Sequence, residues 1–301
     1  MQLGMVGLGR MGANMAARLR GAGHACVGFD PDPGAREAAA ARGLDTADSL
    51  AALVQALEAP RALWLMVPAG RVVDAVLDEL LPLLSPGDVV IDGGNSNYRD
   101  SLRRAERVAG AGLEWLDVGT SGGVHGLEHG YCLTIGGEGA TAARLEPAFR
   151  ALAPSPDSGW GHVGPAGAGH YAKMIHNGIE YGLMQAYAEG LALLHRRDDL
   201  APDPAKTARI WCDGSVIRSW LLELSAGALE EDPALSQVAP YVADSGEGRW
   251  TVAEALELDV PAPVITQAMI ARLRSRDAEG FGDRVVAALR DAFGGHGVKP
   301  G

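Results

Sequence analysis

Short apolar runs alternate with amphipathic stretches through the first half of the 301-residue chain. The apolar runs are typical of buried strands, whereas the amphipathic stretches carry apolar residues at the spacing of helices. This alternation predicts βαβ units around a parallel sheet, because consecutive parallel strands need a crossover that is usually helical. The predicted strands are QLGMVG, HACVGF, RALWLMV and GDVVID, and the predicted helices are RMGANMAARLRGAG, PGAREAAAARG and GRVVDAVLDELLPLL.

The strand pattern fades in the second half of the chain. A stretch rich in Pro, Gly and Ser, APSPDSGWGHVGPAGAGH, leads into a long predicted helix at 167–195, and further helical patterns follow it. We therefore expect an α/β fold with two domains. A Rossmann-type doubly wound sheet would occupy residues 1–165, and an all-helical domain would occupy residues 166–301.

Charge and cysteine content argue against several classes of protein. The formal net charge of -12 disfavours nucleic acid or an anionic membrane surface as the main partner, since both attract positively charged proteins. Cys26, Cys132 and Cys212 are odd in number and lack paired spacing, so neither a disulfide framework nor a zinc site is predicted. We expect a cytoplasmic protein without a resident metal.

The sequence GLGRMG stands directly between the first predicted strand and the first predicted helix. In that context G-x-G-x-x-G is typical of dinucleotide binding. The first glycine allows a tight turn, the second allows close approach of a pyrophosphate, and the third allows the helix to pack on the strand. An ordinary glycine turn is the alternative. The predicted cofactor contacts are Gly7, Leu8, Gly9, Arg10, Met11 and Gly12.

Asp30 follows the second predicted strand, 18 positions after Gly12. A carboxylate there accepts hydrogen bonds from the adenosine ribose and repels a 2′-phosphate, so we favour NAD over NADP. The nearby Arg36 leaves room for some use of NADP, and a surface aspartate that begins the Asp-Pro turn is the alternative. The next predicted strand ends at the ligand-binding edge of the sheet, where three residues are expected to line the cofactor: Val67, Pro68 and Ala69.

The stretch KMIHNGIEYG places four polar residues within one arc of the long predicted helix: Lys173, His176, Asn177 and Glu180. Solvated helix faces seldom combine these residue types with a helix-weakening glycine such as Gly178. Lys173 and Glu180 lie about 10 Å apart along the helix axis, so they could flank a sugar-sized ligand as base and acid. A solvated face is the alternative, and for His176 and Asn177 so is a helix contact to the first domain.

Three segments together resemble the decarboxylating 6-phosphogluconate dehydrogenases. GPAGAGHYAKMIHNGIEYGLMQAYAEG is similar to the catalytic helix of that family, while VIDGGNSNYRDS and LDVGTSGGVHGLEHGYCLTIGG resemble its substrate loops. The chain length is similar to that of the short-chain, NAD-preferring branch. The resemblance implies oxidation and decarboxylation of 6-phosphogluconate to ribulose 5-phosphate and CO2, with reduction of NAD or NADP.

The same resemblance implies roles for individual residues. Lys173 would be the general base and Glu180 the general acid, and Asn95 would contact both cofactor and substrate. Arg290 and His296 would come from a neighbouring subunit, so a homodimer or homotetramer would order the C-terminal tail, with simple fraying as the alternative. The implied substrate contacts are Asn95, Ser121, Gly122, Gly123, His176, Asn177, Tyr181, Arg249, Arg272, Arg290 and His296.

Two other functions compete with this interpretation. A related β-hydroxyacid dehydrogenase, such as one acting on 3-hydroxyisobutyrate, would share the glycine loop, the Ser-Gly-Gly loop and the lysine helix. It would not need Arg249, Arg272, Arg290 and Glu180 for phosphate and enediol chemistry. A non-catalytic dinucleotide sensor is the second alternative.

Overall fold

The computed structural model describes residues 1–299. It divides the chain into two compact units, Met1–His176 and Asn177–Gly301. No helix within the described residues is long and apolar enough to cross a membrane.

The first unit is built on one eight-stranded sheet with the strand order β3-β2-β1-β4-β5-β6-β7-β8. Every neighbouring pair is parallel except β6 and β7, which are antiparallel. Strand order reverses between β1 and β4, and open α/β sheets bind ligands at the carboxyl ends of the strands near such a point. The strands are β1 (Gln2–Val6), β2 (Ala25–Phe29), β3 (Asp45–Thr46), β4 (Ala62–Leu65), β5 (Val89–Asp92), β6 (Glu114–Ser121), β7 (Cys132–Gly137) and β8 (Trp160–Gly164).

Helices cover both faces of this sheet, as the alternating pattern predicts. Side chains alternate across each strand, so Trp64 joins the apolar cluster on one face while Leu63 and Leu65 join the cluster on the other. The helices are α1 (Arg10–Gly21), α2 (Pro33–Ala41), α3 (Leu50–Gln55), α4 (Arg71–Leu80), α5 (Tyr98–Gly110), α6 (Gly126–His129), α7 (Gly139–Arg144) and α8 (Glu146–Leu152). Short 3₁₀ turns at Leu81–Leu83 and Gly123–His125 complete the unit.

Within residues 177–299 every regular element is a helix. Helix α9 (Ala168–His195) begins in the first unit and continues into the second. The remaining helices are α10 (Pro204–Cys212), α11 (Trp220–Glu231), α12 (Glu247–Glu257), α13 (Pro263–Arg274) and α14 (Phe281–Gly294). The prediction of a doubly wound sheet followed by an all-helical part is therefore confirmed.

The stretch between the two predicted domains contains a strand that its composition does not reveal. Residues Trp160–Gly164 form β8, which pairs parallel to β7 at the edge of the sheet. Three of the residues around this pairing are glycines, which are depleted in strands, and the run lacks a clear alternation. Long-range pairing rather than local propensity therefore fixes β8. The predicted domain boundary at 165/166 stays a prediction.

Candidate active site

The three glycines of the loop after β1 differ in how much space surrounds them. Gly7 has a φ of +96°, and a Cβ there would collide with the Met66 carbonyl. A Cβ on Gly12 would collide with the carbonyl oxygen of Gly7, so helix α1 packs directly on the loop. A Cβ on Gly9 would meet nothing within 4 Å. The fold thus requires the outer glycines, whereas Gly9 faces open space from which a ligand can approach.

Helix α1 begins at this loop without a side-chain cap. Gly9 is its N-cap residue and offers no side-chain acceptor to the first turn. The backbone N–H groups of such a turn, together with the positive end of the helix dipole, bind anions. The open side of Gly9 and the uncapped first turn fit the pyrophosphate of a dinucleotide.

Asp30 ties the end of β2 to the glycine loop. Its Oδ2 accepts a hydrogen bond from the Leu8 N–H at 2.7 Å, and its Oδ1 accepts one from the Asp32 N–H at 2.9 Å. The Arg36 guanidinium donates to the Asp30 carbonyl oxygen at 2.7 Å. The Asp30 carboxylate therefore fixes the turn after β2 and also stands beside the glycine loop, so the two interpretations of this residue are compatible.

The other predicted loops follow strands that lie side by side and run parallel. Strands β1, β4, β5 and β6 are neighbours, so the loops that follow them share one edge of the sheet. The loop after β4 and the loop after β5 approach closely, since a Cβ on Gly94 would lie 3.1 Å from the Val67 carbonyl oxygen. This edge brings together Gly7, Leu8, Gly9, Arg10, Met11, Gly12, Val67, Pro68, Ala69, Asn95, Ser121, Gly122 and Gly123.

The first turns of α9 are clamped to the sheet by a buried carboxylate. Asp117, on β6, accepts hydrogen bonds from the N–H groups of Gly167 (2.6 Å) and His170 (2.9 Å). Its side chain is fully buried. The carboxylate satisfies N–H groups that a helix start leaves unpaired. It thereby fixes where α9 leaves the sheet.

Lys173 lies directly against β6 because the facing residue of the strand, Gly119, has no side chain. A Cβ on Gly119 would collide with the Lys173 Cβ and come within 2.7 Å of the Gly169 carbonyl oxygen. Lys173 is only 9% exposed, whereas Lys206 and Lys299, the other two lysines of the chain, are exposed. The Lys173 Nζ lies 3.4 Å from His176 Nδ1. Ser121 follows Gly119 by two positions, so the amine-bearing residue packs next to the strand that ends in the Ser-Gly-Gly loop.

A second buried contact ties α9 to the helix after the Asn95 loop. The Ser101 Oγ and the His170 Nδ1 lie 2.6 Å apart, and both side chains are fully buried. Sequence reasoning missed Ser101, Asp117 and His170. An aspartate inside the apolar run of β6 is a signal that could have identified Asp117, because a buried carboxylate needs hydrogen-bond donors.

Further along α9, the remaining polar residues of the predicted arc differ in how exposed they are. Asn177 is buried, Glu180 is half-buried and His176 is exposed. Gly178, which weakens the helix, packs against α12, since a Cβ there would lie 2.6 Å from the Thr251 Cγ2. Close helix packing therefore accounts for this glycine.

Two of the predicted substrate contacts, Tyr181 and Arg272, lie against each other in the second unit. The Arg272 guanidinium lies 3.5 Å from the centroid of the Tyr181 ring, and its Nη1 donates to the Ala243 carbonyl oxygen at 2.9 Å. Arg249 forms an ion pair with Asp244, the next residue along. Arg249 and Arg272 are therefore held by adjacent residues of one segment.

Asp244 is a buried carboxylate that receives two arginines. Burial favours its neutral form, but hydrogen bonds from Arg249 and from the Gly246 N–H outweigh that effect and lower the pKa of Asp244. Arg276 also reaches Asp244, at 3.5 Å. Sequence reasoning missed Arg276, which adds a third cation to this group.

Arg290 and His296, the predicted substrate contacts near the C-terminus, are both exposed. Arg290 lies on α14 and His296 lies two residues beyond the end of that helix. No residue of α14 is buried. The described structure thus leaves Arg290 and His296 on an exposed segment.

Comparison with known proteins identifies the same family in both parts of the chain. Residues 2–162 match the NAD binding domain of 6-phosphogluconate dehydrogenase, and residues 169–288 match the C-terminal domain of 6-phosphogluconate dehydrogenase. The NAD(+)-dependent, decarboxylating 6-phosphogluconate dehydrogenase of Haloferax volcanii is 49% identical over 300 residues, which cover 99% of this chain and 98% of that relative.

Two solved structures are similar over nearly the whole chain. The 6-phosphogluconate dehydrogenase of Plasmodium falciparum, solved in its apo form, with NADP+ and with 6-phosphogluconate, has a TM-score of 0.85 at 26% identity. The match covers 98% of this chain and 65% of that one, so the chain spans about two thirds of that relative. The 3-hydroxyisobutyrate dehydrogenase of Mycobacterium tuberculosis has a TM-score of 0.72 at 26% identity, with 92% and 94% covered.

Proposed function

The chain belongs to the 6-phosphogluconate dehydrogenase family, and we propose that it converts 6-phosphogluconate to ribulose 5-phosphate and CO2 while reducing NAD. The observation that carries this proposal is the buried Lys173, which packs against Gly119 of β6, two residues before that strand ends at Ser121. A proton acceptor at the ligand-binding edge of a dinucleotide-binding sheet is what oxidation of an alcohol requires.

Residues at the sheet edge would hold the cofactor, which when bound accepts the hydride released from the third carbon of the sugar acid. The first turn of α1 and the open side of Gly9 would receive the pyrophosphate. Asp30 would bind the adenosine ribose and disfavour a 2′-phosphate, which supports NAD as the preferred cofactor. The closeness of Arg36 to Asp30 supports residual use of NADP.

Lys173 would accept the proton of the hydroxyl that is oxidised, so it must be neutral when it acts. The oxidised product is a β-keto acid, whose carboxylate leaves as CO2 because the neighbouring ketone accepts the electron pair. Lys173 would return its proton to the resulting enediol oxygen. Glu180, about two turns further along α9, would then protonate the first carbon and release the ketose. Asn95, Ser121, Gly122, Gly123, His176 and Asn177 would orient the substrate.

The arginines of the second unit would bind the phosphate group. Arg249 and Arg272 are held at adjacent residues, and Arg272 stacks on Tyr181. Guanidinium groups bind phosphate through paired N–H donors. This group of residues supports a phosphorylated substrate over 3-hydroxyisobutyrate, which carries no phosphate. Arg290 and His296 would complete the phosphate site from a neighbouring subunit.

We also propose a cytoplasmic homodimer or homotetramer. Helix α14 exposes five large apolar side chains, and apolar patches of that kind mark protein interfaces. The five residues are Phe281, Val285, Val286, Leu289 and Phe293.

A steady-state assay with two substrates and two cofactors tests the proposed reaction. We expect NADH and CO2 to form in equal amounts from 6-phosphogluconate and NAD, with a lower kcat/KM when NADP replaces NAD. Turnover of 3-hydroxyisobutyrate without CO2, and none of 6-phosphogluconate, would instead assign the chain to the related dehydrogenases. Cofactor binding with turnover of neither substrate would favour a sensor.

A further inference from the structure

Arg104, on helix α5, is an arginine whose side chain is fully buried inside the first unit. Its Nε donates to the Asp74 Oδ1 at 2.9 Å, and its Nη2 donates to the Gly70 carbonyl oxygen at 2.8 Å. On the other side of the guanidinium, Nη1 donates to the Ser96 Oγ at 3.1 Å and lies 3.5 Å from the Asp92 Oδ2. One planar group therefore binds two separate segments of the chain.

These two segments are the loops proposed to face the cofactor and the substrate. Gly70 directly follows Pro68 and Ala69 in the loop after β4, and Asp74 lies in the first turn of the helix that this loop enters. Ser96 directly follows Asn95 in the loop after β5. We call residues 66–70 the cofactor-side loop and residues 93–97 the substrate-side loop. Arg104 donates a hydrogen bond to each of them.

The substrate-side loop also hydrogen-bonds to Asp92, which lies beside the Arg104 guanidinium. Asp92 is fully buried, and its carboxylate accepts hydrogen bonds from the Ser96 Oγ at 2.7 Å and from the Gly94 N–H at 3.1 Å. The ends of this loop are thus drawn together around one carboxylate. Because Arg104 contacts both Asp92 and Ser96, a change in the guanidinium would alter the position of the three residues between them, which include Asn95.

A lysine cannot reproduce these contacts. The guanidinium presents N–H donors in a fixed planar fork, whereas an ammonium group is a single point charge on a flexible stem. A buried cation between two carboxylates is also a poor source of net stability compared with an apolar side chain of similar volume. The arrangement is better explained by the geometry that it imposes on the two loops.

We propose that Arg104 is a positioning residue that sets the spacing between the cofactor-side loop and the substrate-side loop for hydride transfer. The proposal rests on the proposed function, because it concerns the step in which hydride passes between the ligands of these two loops. The Arg104 side chain is fully buried among protein partners, so it would touch neither ligand. It acts through Gly70 on one side and through Ser96 on the other.

The test compares two variants that weaken this link with one that does not. Arg104→Lys removes the planar fork, and Ser96→Ala removes the hydroxyl that accepts from the guanidinium and donates to Asp92. Arg103→Lys is the matched control, because Arg103 is the adjacent residue and pairs with the same Asp74 at 3.0 Å, yet its side chain is 52% exposed and its partners are Asp74 and Asp100. Stopped-flow measurement of NADH formation gives a rate constant and an amplitude for each variant.

A positioning role predicts that the rate constant for NADH formation falls about 100-fold in Arg104→Lys and about 10-fold in Ser96→Ala. Deuterium at the third carbon of 6-phosphogluconate should slow that phase further, which identifies it as hydride transfer. The affinity for NAD, measured by titration calorimetry, should match that of the wild type, and Arg103→Lys should behave as the wild type.

A purely structural role predicts a different pattern. Loss of folded protein would lower the amplitude of NADH formation and leave its rate constant unchanged, and that result in Ser96→Ala would overturn the proposal even if Arg104→Lys fails to fold. A rate constant equal to that of the wild type in both variants would overturn it as well. If the wild type itself does not oxidise 6-phosphogluconate, the proposed function fails first, and the role of Arg104 in that reaction fails with it.

Discussion

Gly9 is a residue that the proposed cofactor site requires but the packing of the fold does not. The fold fills the space beside Gly7 and Gly12 with backbone atoms, but the space beside Gly9 is open. A side chain at position 9 would therefore be tolerated by the folded chain and would obstruct a ligand at the first turn of α1. A substitution there should report on binding alone.

We predict that Gly9→Ala weakens NAD binding by about tenfold or more, since the added methyl group blocks close approach of the pyrophosphate. The melting temperature should remain that of the wild type. Gly21→Ala is the control, because Gly21 ends the same helix and a Cβ there also meets nothing within 4 Å. Titration calorimetry with NAD measures the effect. Unchanged affinity in Gly9→Ala would place the pyrophosphate elsewhere.

The sequence predicts candidate site residues where their chemistry is local. Residue type and spacing predict the glycine loop, Asp30 and Lys173 as site residues, and their roles stay predictions. Arg104 could not, because nothing in the run RRAE of helix α5 distinguishes it from the exposed Arg103 beside it. Which of two adjacent arginines is buried depends on how α5 packs against the two loops.

At the scale of elements, the position of α9 is set by close packing against β6 and β7. Gly119 and Gly136 on these strands face the first turns of the helix, and Asp117 caps its start. The two glycines of the sheet are therefore as important for placing Lys173 as the Asp117 side chain.

We expect Gly119→Ala to push α9 away from the sheet, because the new Cβ would collide with the Lys173 Cβ and lie 2.5 Å from the Thr134 Oγ1. Overpacking of this kind costs about 1–3 kcal/mol of stability, and a displaced base should lower kcat by about 100-fold. Gly161→Ala, on β8, is the matched control, since a Cβ there meets nothing within 4 Å. Thermal unfolding and steady-state kinetics test both variants. Wild-type kcat in Gly119→Ala would show that this packing does not position Lys173.

The ion pairs between α4 and α5 should make stability depend on pH. The hydrogen bond from Arg104, with a further contribution from Arg103, outweighs the effect of burial and lowers the pKa of Asp74 to about 2. A lowered folded pKa means that the stabilisation is complete above the unfolded value near 4 and is lost as the pH falls toward 2.

Asp74→Asn should therefore lower the free energy of unfolding by about 1.5–3 kcal/mol at neutral pH. The difference from the wild type should shrink as the pH falls from 4 to 2. Asp78→Asn is the control on the same helix, because Asp78 is 67% exposed and pairs with Arg107 at the surface. Urea unfolding at several pH values measures these differences. A difference for Asp74→Asn that does not change with pH would contradict the assigned pKa.

Element boundaries show where sequence reasoning stops. The α9 helix was predicted at 167–195 and is observed at Ala168–His195, because its long apolar periodicity is a local signal. Strand β8 was missed, since its residues favour a loop and only pairing with β7 makes them a strand. Strands β6 and β7 also depend on long-range pairing, and their antiparallel arrangement has no local signature.

The exposed apolar side of α14 is a feature of the molecule that a single chain does not explain. Leu289 is 57% exposed and Phe293 is 79% exposed. We predict that Leu289→Asp shifts the protein toward monomer in light scattering coupled to size-exclusion chromatography, because it puts a charge into the proposed interface. Ala287→Asp, on the opposite side of the same helix by its spacing, should leave the oligomer intact. A wild-type protein that is monomeric at micromolar concentration would rule out this interface.

Lys173→Met tests whether the buried Lys173 removes the proton from the hydroxyl of 6-phosphogluconate that is oxidised. We expect the rates of NADH and CO2 formation to fall by on the order of 10³-fold while the affinity for NAD is retained. Lys206→Met, at an exposed lysine on α10, is the control. Lys173→Met with near wild-type rates of NADH and CO2 formation would contradict this role of Lys173.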